Sequence, residues 1–260
     1  MERLRMRRSG VKAGVCAAGL LGWGLLAEPL ARAETGTSGE LSDAPAPVPA
    51  PAAIELPETS ELPGVVIFPA RGGGPHPITV LLHGMCGDAA RACSHFADQV
   101  TQSSNLICPR ASQRCTGGGA SWPERGVSEA VEAAVARAKT ALSEPLDETR
   151  GRTLIGYSMG AFRALRIAQG GAGKYPRVML IGAKISLDQA QLAQNGVFRV
   201  LLCAGNRDMM HDHMQRETER AQRAGLQARF LDLGPVGHTF TPSFARYLPQ
   251  ALSWLELSKP

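Results

Sequence analysis

Thr153-Leu154-Ile155-Gly156-Tyr157-Ser158-Met159-Gly160 runs directly into Ala161-Phe162-Arg163-Ala164-Leu165-Arg166-Ile167-Ala168. The first three residues suit a buried strand, and residues 161–168 read as a helix. Between them stands a Gly-x-Ser-x-Gly arrangement. A sharp strand-to-helix turn brings neighbouring backbone close, so the positions two before and two after the serine must lack side chains. The result is an exposed serine hydroxyl at a strand end. An inert serine in a glycine-rich turn is the competing account; an apolar strand before the motif and a helix after it count against that account.

Working outward, short apolar runs alternate with segments of helical period. Val65–Phe68, Ile78–Leu82, Leu106–Cys108, Val178–Ile181, Val200–Cys203 and Ala228–Leu231 read as strands, several bounded by Gly or Pro. Helices are expected over Ala89–Val100, along the face Val127, Val131, Val135, Ala138 and Leu142, and from about Pro242 to Leu257. Strands apolar throughout and separated by helices imply an α/β fold with a mainly parallel sheet covered on both faces. With 260 residues, 44% hydrophobic and 20% charged, one such domain accounts for most of the chain.

Function in such a sheet gathers at the carboxyl ends of the strands. Gly205-Asn206-Arg207-Asp208 follows the strand at Val200, and Gly237-His238-Thr239-Phe240 follows the strand at Ala228. Nucleophile, acid and base thus come in the order Ser158, Asp208, His238. With these motifs, residues 64–257 resemble the α/β-hydrolase superfamily, and within it dienelactone hydrolases and small carboxylesterases. The resemblance implies that His238 accepts the Ser158 proton while Asp208 fixes the imidazole tautomer. It also implies an oxyanion hole from the backbone N–H groups of Met159 and of Met85, the latter in the turn His83-Gly84-Met85, where His83 shapes the backbone. No insertion between Ile181 and Val200 is long enough for a full lid domain. His83 is not followed by the Gly-Gly run of lipase-type loops, which points to esters of modest size. Peptide hydrolysis, acyl transfer, or a non-catalytic binding role on the same fold are the alternatives.

Asp212 follows the same strand as Asp208, but one helical turn further on. Asp208 is therefore the expected acid. His211-Asp212-His213 does not suit a metal, because adjacent-plus-one residues of a helix face different ways. Neither a metal nor any cofactor is called for by this chemistry. Trp122, in a glycine-rich loop, is a candidate to line the substrate pocket, with a rim aromatic packed for stability as an equally good account.

The amino terminus is of a different kind. Arg3, Arg5, Arg7, Arg8 and Lys12 precede and enter an apolar run, Val11–Leu26, that is followed by Ala31-Arg32-Ala33. This order describes a secretory signal peptide over residues 1–33, by a Sec or twin-arginine route; four glycines and a short span count against a membrane anchor. Residues 34–62, with Ala44-Pro45-Ala46-Pro47-Val48-Pro49-Ala50-Pro51 inside, read as an Ala/Pro-rich disordered linker. The hydrolase domain then occupies 63–260. Six of the 28 basic residues and two of the 23 acidic ones lie in the leader, so the remainder carries only +1 of the chain's net +5. Nothing in that balance points to nucleic acid or to an anionic membrane, and no stable membrane insertion is expected once the leader is gone. Secretion or a periplasmic location would permit disulfides. Cys203 reads as a buried free thiol. Among Cys86, Cys93, Cys108 and Cys115, sequence proximity favours Cys86–Cys93 and Cys108–Cys115 over the two other pairings.

Overall fold

A computed structural model describes residues 49–239 and 244–257. The expected signal peptide, and the expected linker up to residue 48, lie outside the described residues. Eight strands form the main sheet: β1 (Ile54–Leu56), β2 (Val65–Phe68), β3 (Ile78–Leu82), β4 (Asn105–Pro109), β7 (Thr153–Tyr157), β8 (Arg177–Ile181), β9 (Arg199–Ala204) and β10 (Gln227–Asp232). Their spatial order is β1-β2-β4-β3-β7-β8-β9-β10. β2 is antiparallel to both β1 and β4, and every pairing from β4 to β10 is parallel. Two very short strands, β5 (Gln113–Arg114) and β6 (Ala120–Ser121), make a separate antiparallel hairpin.

The period-2 geometry of a strand divides these apolar runs between two cores. Val80 and Leu82 of β3, Leu154 of β7 and Val200, Leu202 and Ala204 of β9 face one way. They pack with α2 (Val127–Ala141), α3 (Met159–Gly170), α4 (Gln189–Gln194) and α5 (His211–Arg223). Leu81, Ile155, Leu201 and Cys203 face the other way, toward α1 (Ala89–Val100) and α6 (Phe244–Glu256). Each fully buried branched side chain contributes about 1.5–3 kcal/mol. Burial on both faces explains why the strands read as continuous apolar runs rather than as alternating ones.

One boundary differs from the sequence-based expectation. Ile54–Leu56, placed within the linker, forms the edge strand β1, with Ile54 opposite Ile67 and Leu56 opposite Val65. The surrounding Ala/Pro composition hides a three-residue strand whose two apolar side chains, Ile54 and Leu56, pack on the first core. Contacts distant in sequence, with β2, the first core and Arg110, hold that short segment. Between β8 and β9 the chain holds just the six-residue helix α4.

Candidate active site

β7 enters α3 through Ser158, whose φ of 52° and ψ of −118° put a non-glycine residue in strained, left-handed territory. The turn is fixed by the Ser158 N–H donating to the Ile181 carbonyl at 2.8 Å. A side chain at Gly160 would overlap the carbonyl oxygens of Leu82 and His83, and one at Gly156 would overlap the backbone of Gly160 and Ala161. The glycines flanking the serine are thus required by backbone approach, as the motif implies.

Ser158 and Asp208 both lie within hydrogen-bonding reach of His238, one on each ring nitrogen. The Ser158 hydroxyl donates to His238 Nε2 at 2.9 Å, and His238 Nδ1–H donates to Asp208 Oδ2 at 2.8 Å. Because a carboxylate only accepts, this bond assigns the ring proton to Nδ1 and leaves Nε2 as the acceptor. The Asp208 side chain is 3% exposed, whereas that of His238 is 41% exposed. Asp208 Oδ1 also accepts from the Met210 N–H at 3.0 Å, which holds the carboxylate plane. Asp212, by contrast, is 79% exposed and, among the described residues, its carboxylate bonds its neighbour His211. Among the described residues, no group of three or more His, Cys, Asp or Glu side chains is arranged to hold a metal ion.

Two residues of the site escaped the sequence reading. Gly182 has φ 60°, and a Cβ there would stand 3.1 Å from Asp208 Oδ2 and from the His238 ring. Its signal was visible as a glycine ending an apolar strand, the same punctuation that precedes Ser158 and Asp208. Tyr157 donates its hydroxyl to the His238 carbonyl at 3.0 Å, and its ring stacks on the imidazole with centroids 5.2 Å apart. Burial, reinforced by the Asp208 charge, pushes the Tyr157 hydroxyl up to about 12.

Opposite the histidine lies the turn His83–Gly87. His83 is 1% exposed, and its Nδ1–H donates to the Gly84 carbonyl at 2.8 Å; burial holds this imidazole below its ordinary range. Gly84 lies against Ser158, for a Cβ on it would stand 3.4 Å from Ser158 Cβ. Met85 follows in the turn, and Met159 opens α3, whose first N–H groups have no intrahelical acceptor. Trp122 does not line the pocket as expected. It is 2% exposed, its Nε1–H donates to the His83 carbonyl at 2.7 Å, and its ring lies 4.9 Å from the His83 ring. Its indole N–H needs a buried acceptor, and the turn supplies one.

The cysteine pairing is also corrected. Cys86 bonds Cys115 and Cys93 bonds Cys108, with Cα separations of 5.7 and 6.4 Å. Proximity in sequence misled because α1 turns Cys93 inward, where it meets Cys108 of β4, while Cys86 remains outside beside the β5–β6 hairpin. Cys203 is free and wholly buried, and burial pushes its thiol up.

A cleft of about 450 Å³ is lined by the His83–Gly87 turn, Tyr157, Thr239, the α1 N-cap Asp88 and the α1 residues Arg91 and His95.

A mainly parallel sheet with helices on both faces and a strained serine between strand and helix define the α/β-hydrolase fold. Solved structures of that fold align over most of the chain. FphF of Staphylococcus aureus, a fluorophosphonate-binding serine hydrolase, superposes with a TM-score of 0.63 at 14% identity, covering 80% of this chain and 99% of its own. Esterase PE8 gives 0.57 at 20% identity over 73% and 97%. Poly(aspartic acid) hydrolase-1 from Sphingomonas sp. KT-1 gives 0.57 at 12% identity over 79% and 99%. At these identities the likeness is one of fold. No protein-family model matches the chain, and no curated protein does.

Proposed function

We propose that this chain is an exported serine hydrolase that cleaves carboxylic esters of modest size through an acyl-enzyme. The observation that carries this reading is the unbroken hydrogen-bonded chain from Asp208 through His238 to Ser158. Ser158 Oγ attacks the ester carbonyl as its proton passes to His238 Nε2, and the carbonyl π electrons move onto oxygen. The resulting oxyanion is received by the N–H groups of Met85 and Met159. Collapse expels the alkoxide, which takes the proton from Nε2 and leaves as the alcohol. Water then repeats the sequence on the acyl-enzyme: it gives a proton to Nε2, releases the acid and restores Ser158. Asp208 stays ionised throughout and stabilises the imidazolium. A mere binding role would leave the strained Ser158 backbone and its bond to an oriented imidazole without a use.

Export rests on the leader, with cleavage after Ala33, and on two disulfides suited to an oxidising compartment. No described helix is long and apolar enough to cross a membrane. The mature amino terminus of exported material is expected at Glu34; sequencing that recovers Met1 would contradict it.

The central test is covalent labelling. A fluorophosphonate probe is expected to modify Ser158 and to leave Ser158→Ala unlabelled; full labelling of the alanine variant would remove the proposal. Hydrolysis of para-nitrophenyl acetate and butyrate, compared with peptide substrates, separates an esterase from a peptidase.

A further inference from the structure

Glu217 is a buried carboxylate that the proposed chemistry does not use. It lies on α5, the helix that begins at His211, just beyond Asp208. That acid is tied to the start of the helix: the Met210 N–H donates to Asp208 Oδ1 and the His211 N–H donates to the Asp208 carbonyl, both at 3.0 Å. The same helix grips residues 183–187, which leave β8 through Gly182 and belong to no strand or helix. In that segment Ala183, Ile185 and Leu187 are buried while Lys184 and Ser186 are exposed. Without a sheet neighbour, its buried backbone groups need other partners. Side chains of α5 supply them. The Ala183 N–H donates to Met214 Sδ at 3.4 Å, His213 Nε2–H donates to the Ile185 carbonyl, the Leu187 N–H donates to Glu217 Oε1, and Arg220 Nη2 donates to the Leu187 carbonyl at 2.6 Å. Arg220 Nε also donates to Glu217 Oε2 at 2.8 Å. Burial alone would raise the Glu217 carboxyl, but the Arg220 guanidinium and the Leu187 N–H outweigh it and hold the group below the usual carboxylate range.

Gly182 is the point at which that grip meets the proposed acid and base. Its backbone lies so close that an added Cβ would stand 3.1 Å from both Asp208 Oδ2 and the His238 ring. Resting on the hydrolase reading above, we infer that His213 and Glu217 are positioning residues for the acid–base pair, acting through residues 183–187 on Gly182. With the segment drawn along α5, the Gly182 backbone covers the Asp208–His238 bond and keeps water from competing for Asp208 Oδ2, which strengthens that bond. A segment that slackens admits water there, and the imidazole loses part of its orientation toward Ser158. Because the acid and the segment are fastened to one helix, the two sides of the bond keep their spacing when α5 moves as a body.

The test compares kcat and KM for para-nitrophenyl acetate, with kcat counted per serine labelled at completion by a fluorophosphonate. His213→Ala and Glu217→Leu are each expected to lower kcat about tenfold with KM within about twofold, in keeping with the roughly 100-fold that a misplacement of about 1 Å costs. His213→Gln, which keeps an N–H donor, and Glu217→Gln, which keeps an acceptor for the Leu187 N–H, are expected to regain most of that loss. Glu132→Leu, on α2, is the control for stability. It breaks ion pairs with Arg152 and Lys174, and is expected to lower Tm and keep kcat. Native kcat in both His213→Ala and Glu217→Leu, a loss carried by KM, glutamine variants no better than the alanine and leucine ones, or an equal loss of kcat in Glu132→Leu each overturn the inference. Should Glu217→Leu fail to fold, His213→Ala and His213→Gln decide the question, since His213 is only half-buried. A native enzyme that takes up no fluorophosphonate defeats the hydrolase reading itself, and this inference with it.

Discussion

The two walls of the site are held by different means. On the side of the proposed oxyanion donor Met85, the turn His83–Gly87 is fastened to the loop around β5 and β6 by the Cys86–Cys115 disulfide, by the Cys86 N–H donating to Ser121 Oγ at 3.1 Å, and by the Ala120 N–H donating to the Gly87 carbonyl at 3.0 Å. Trp122 adds its bond to the His83 carbonyl. On the side of the proposed base, His238, no covalent link exists among the described residues. His238 is located by Asp208 and Tyr157, while its loop is tied to the loop after β9 by the Arg207 N–H donating to the Val236 carbonyl at 3.1 Å. The difference suits the proposed chemistry. Donors that meet a developing charge gain most from being immobile, whereas an imidazole that takes a proton and passes it on needs orientation by atoms it can keep bonded in both states.

The largest break in this contrast is expected at the acid. Asp208→Asn removes the carboxylate that assigns the Nδ1 proton, and kcat for para-nitrophenyl acetate is expected to fall about 10⁴-fold. Asp212→Asn, at a side chain 79% exposed, is expected to stay within about twofold, as surface changes generally do. Circular dichroism should show both variants folded. A crippled Asp212 variant beside a normal Asp208 variant would mean that the acid is misassigned.

The two disulfides sharpen the comparison because they sit at different places while doing the same thermodynamic job. Cys93–Cys108 spans 15 residues and Cys86–Cys115 spans 29, so removing either should cost about 3–4 kcal/mol of stability on loop entropy. Only the second is attached next to Met85. At a temperature where both variants are folded, Cys86→Ser/Cys115→Ser is expected to lower kcat about 10- to 100-fold, part of what losing an oxyanion donor costs. Cys93→Ser/Cys108→Ser is expected to keep native kcat. Equal kcat in the two double variants would show that the outer disulfide does not position the turn.

What the sequence revealed and what it hid divide along the same line. Strands buried on both faces announce themselves, and β2, β3 and α1 were read to the residue, because continuous apolar runs and helical period are local properties. The places of Ser158, Asp208 and His238 at one end of the sheet were legible because each follows a strand with a glycine before it. The disulfide pairing and Trp122 depend on which way α1 and the β5–β6 loop turn in space, and no local pattern records that. β1 was missed because three residues in a proline-rich tract owe their order to partners distant in sequence, β2 and the first core. Gly182 carried a signal, yet its reason, the nearby Asp208–His238 pair, exists only after folding.

The smallest expected effect concerns Tyr157, which touches the base from behind. Tyr157→Phe keeps the ring stacked on His238 and deletes only the hydroxyl that donates to the His238 carbonyl. One such bond is worth about 1 kcal/mol, so kcat is expected to fall about fivefold with KM little changed. Tyr157→Leu also removes the ring stack and is expected to cost more. Because burial pushes the hydroxyl up to about 12, it remains a donor throughout the range in which ester hydrolysis is assayed. The ratio of native to Tyr157→Phe kcat should therefore stay level as pH rises, and collapse toward one only when the hydroxyl ionises near pH 12. A ratio that already falls toward one at mildly alkaline pH would show that the hydroxyl ionises there, and that neither its burial nor its hold on the His238 loop is as tight as this geometry requires.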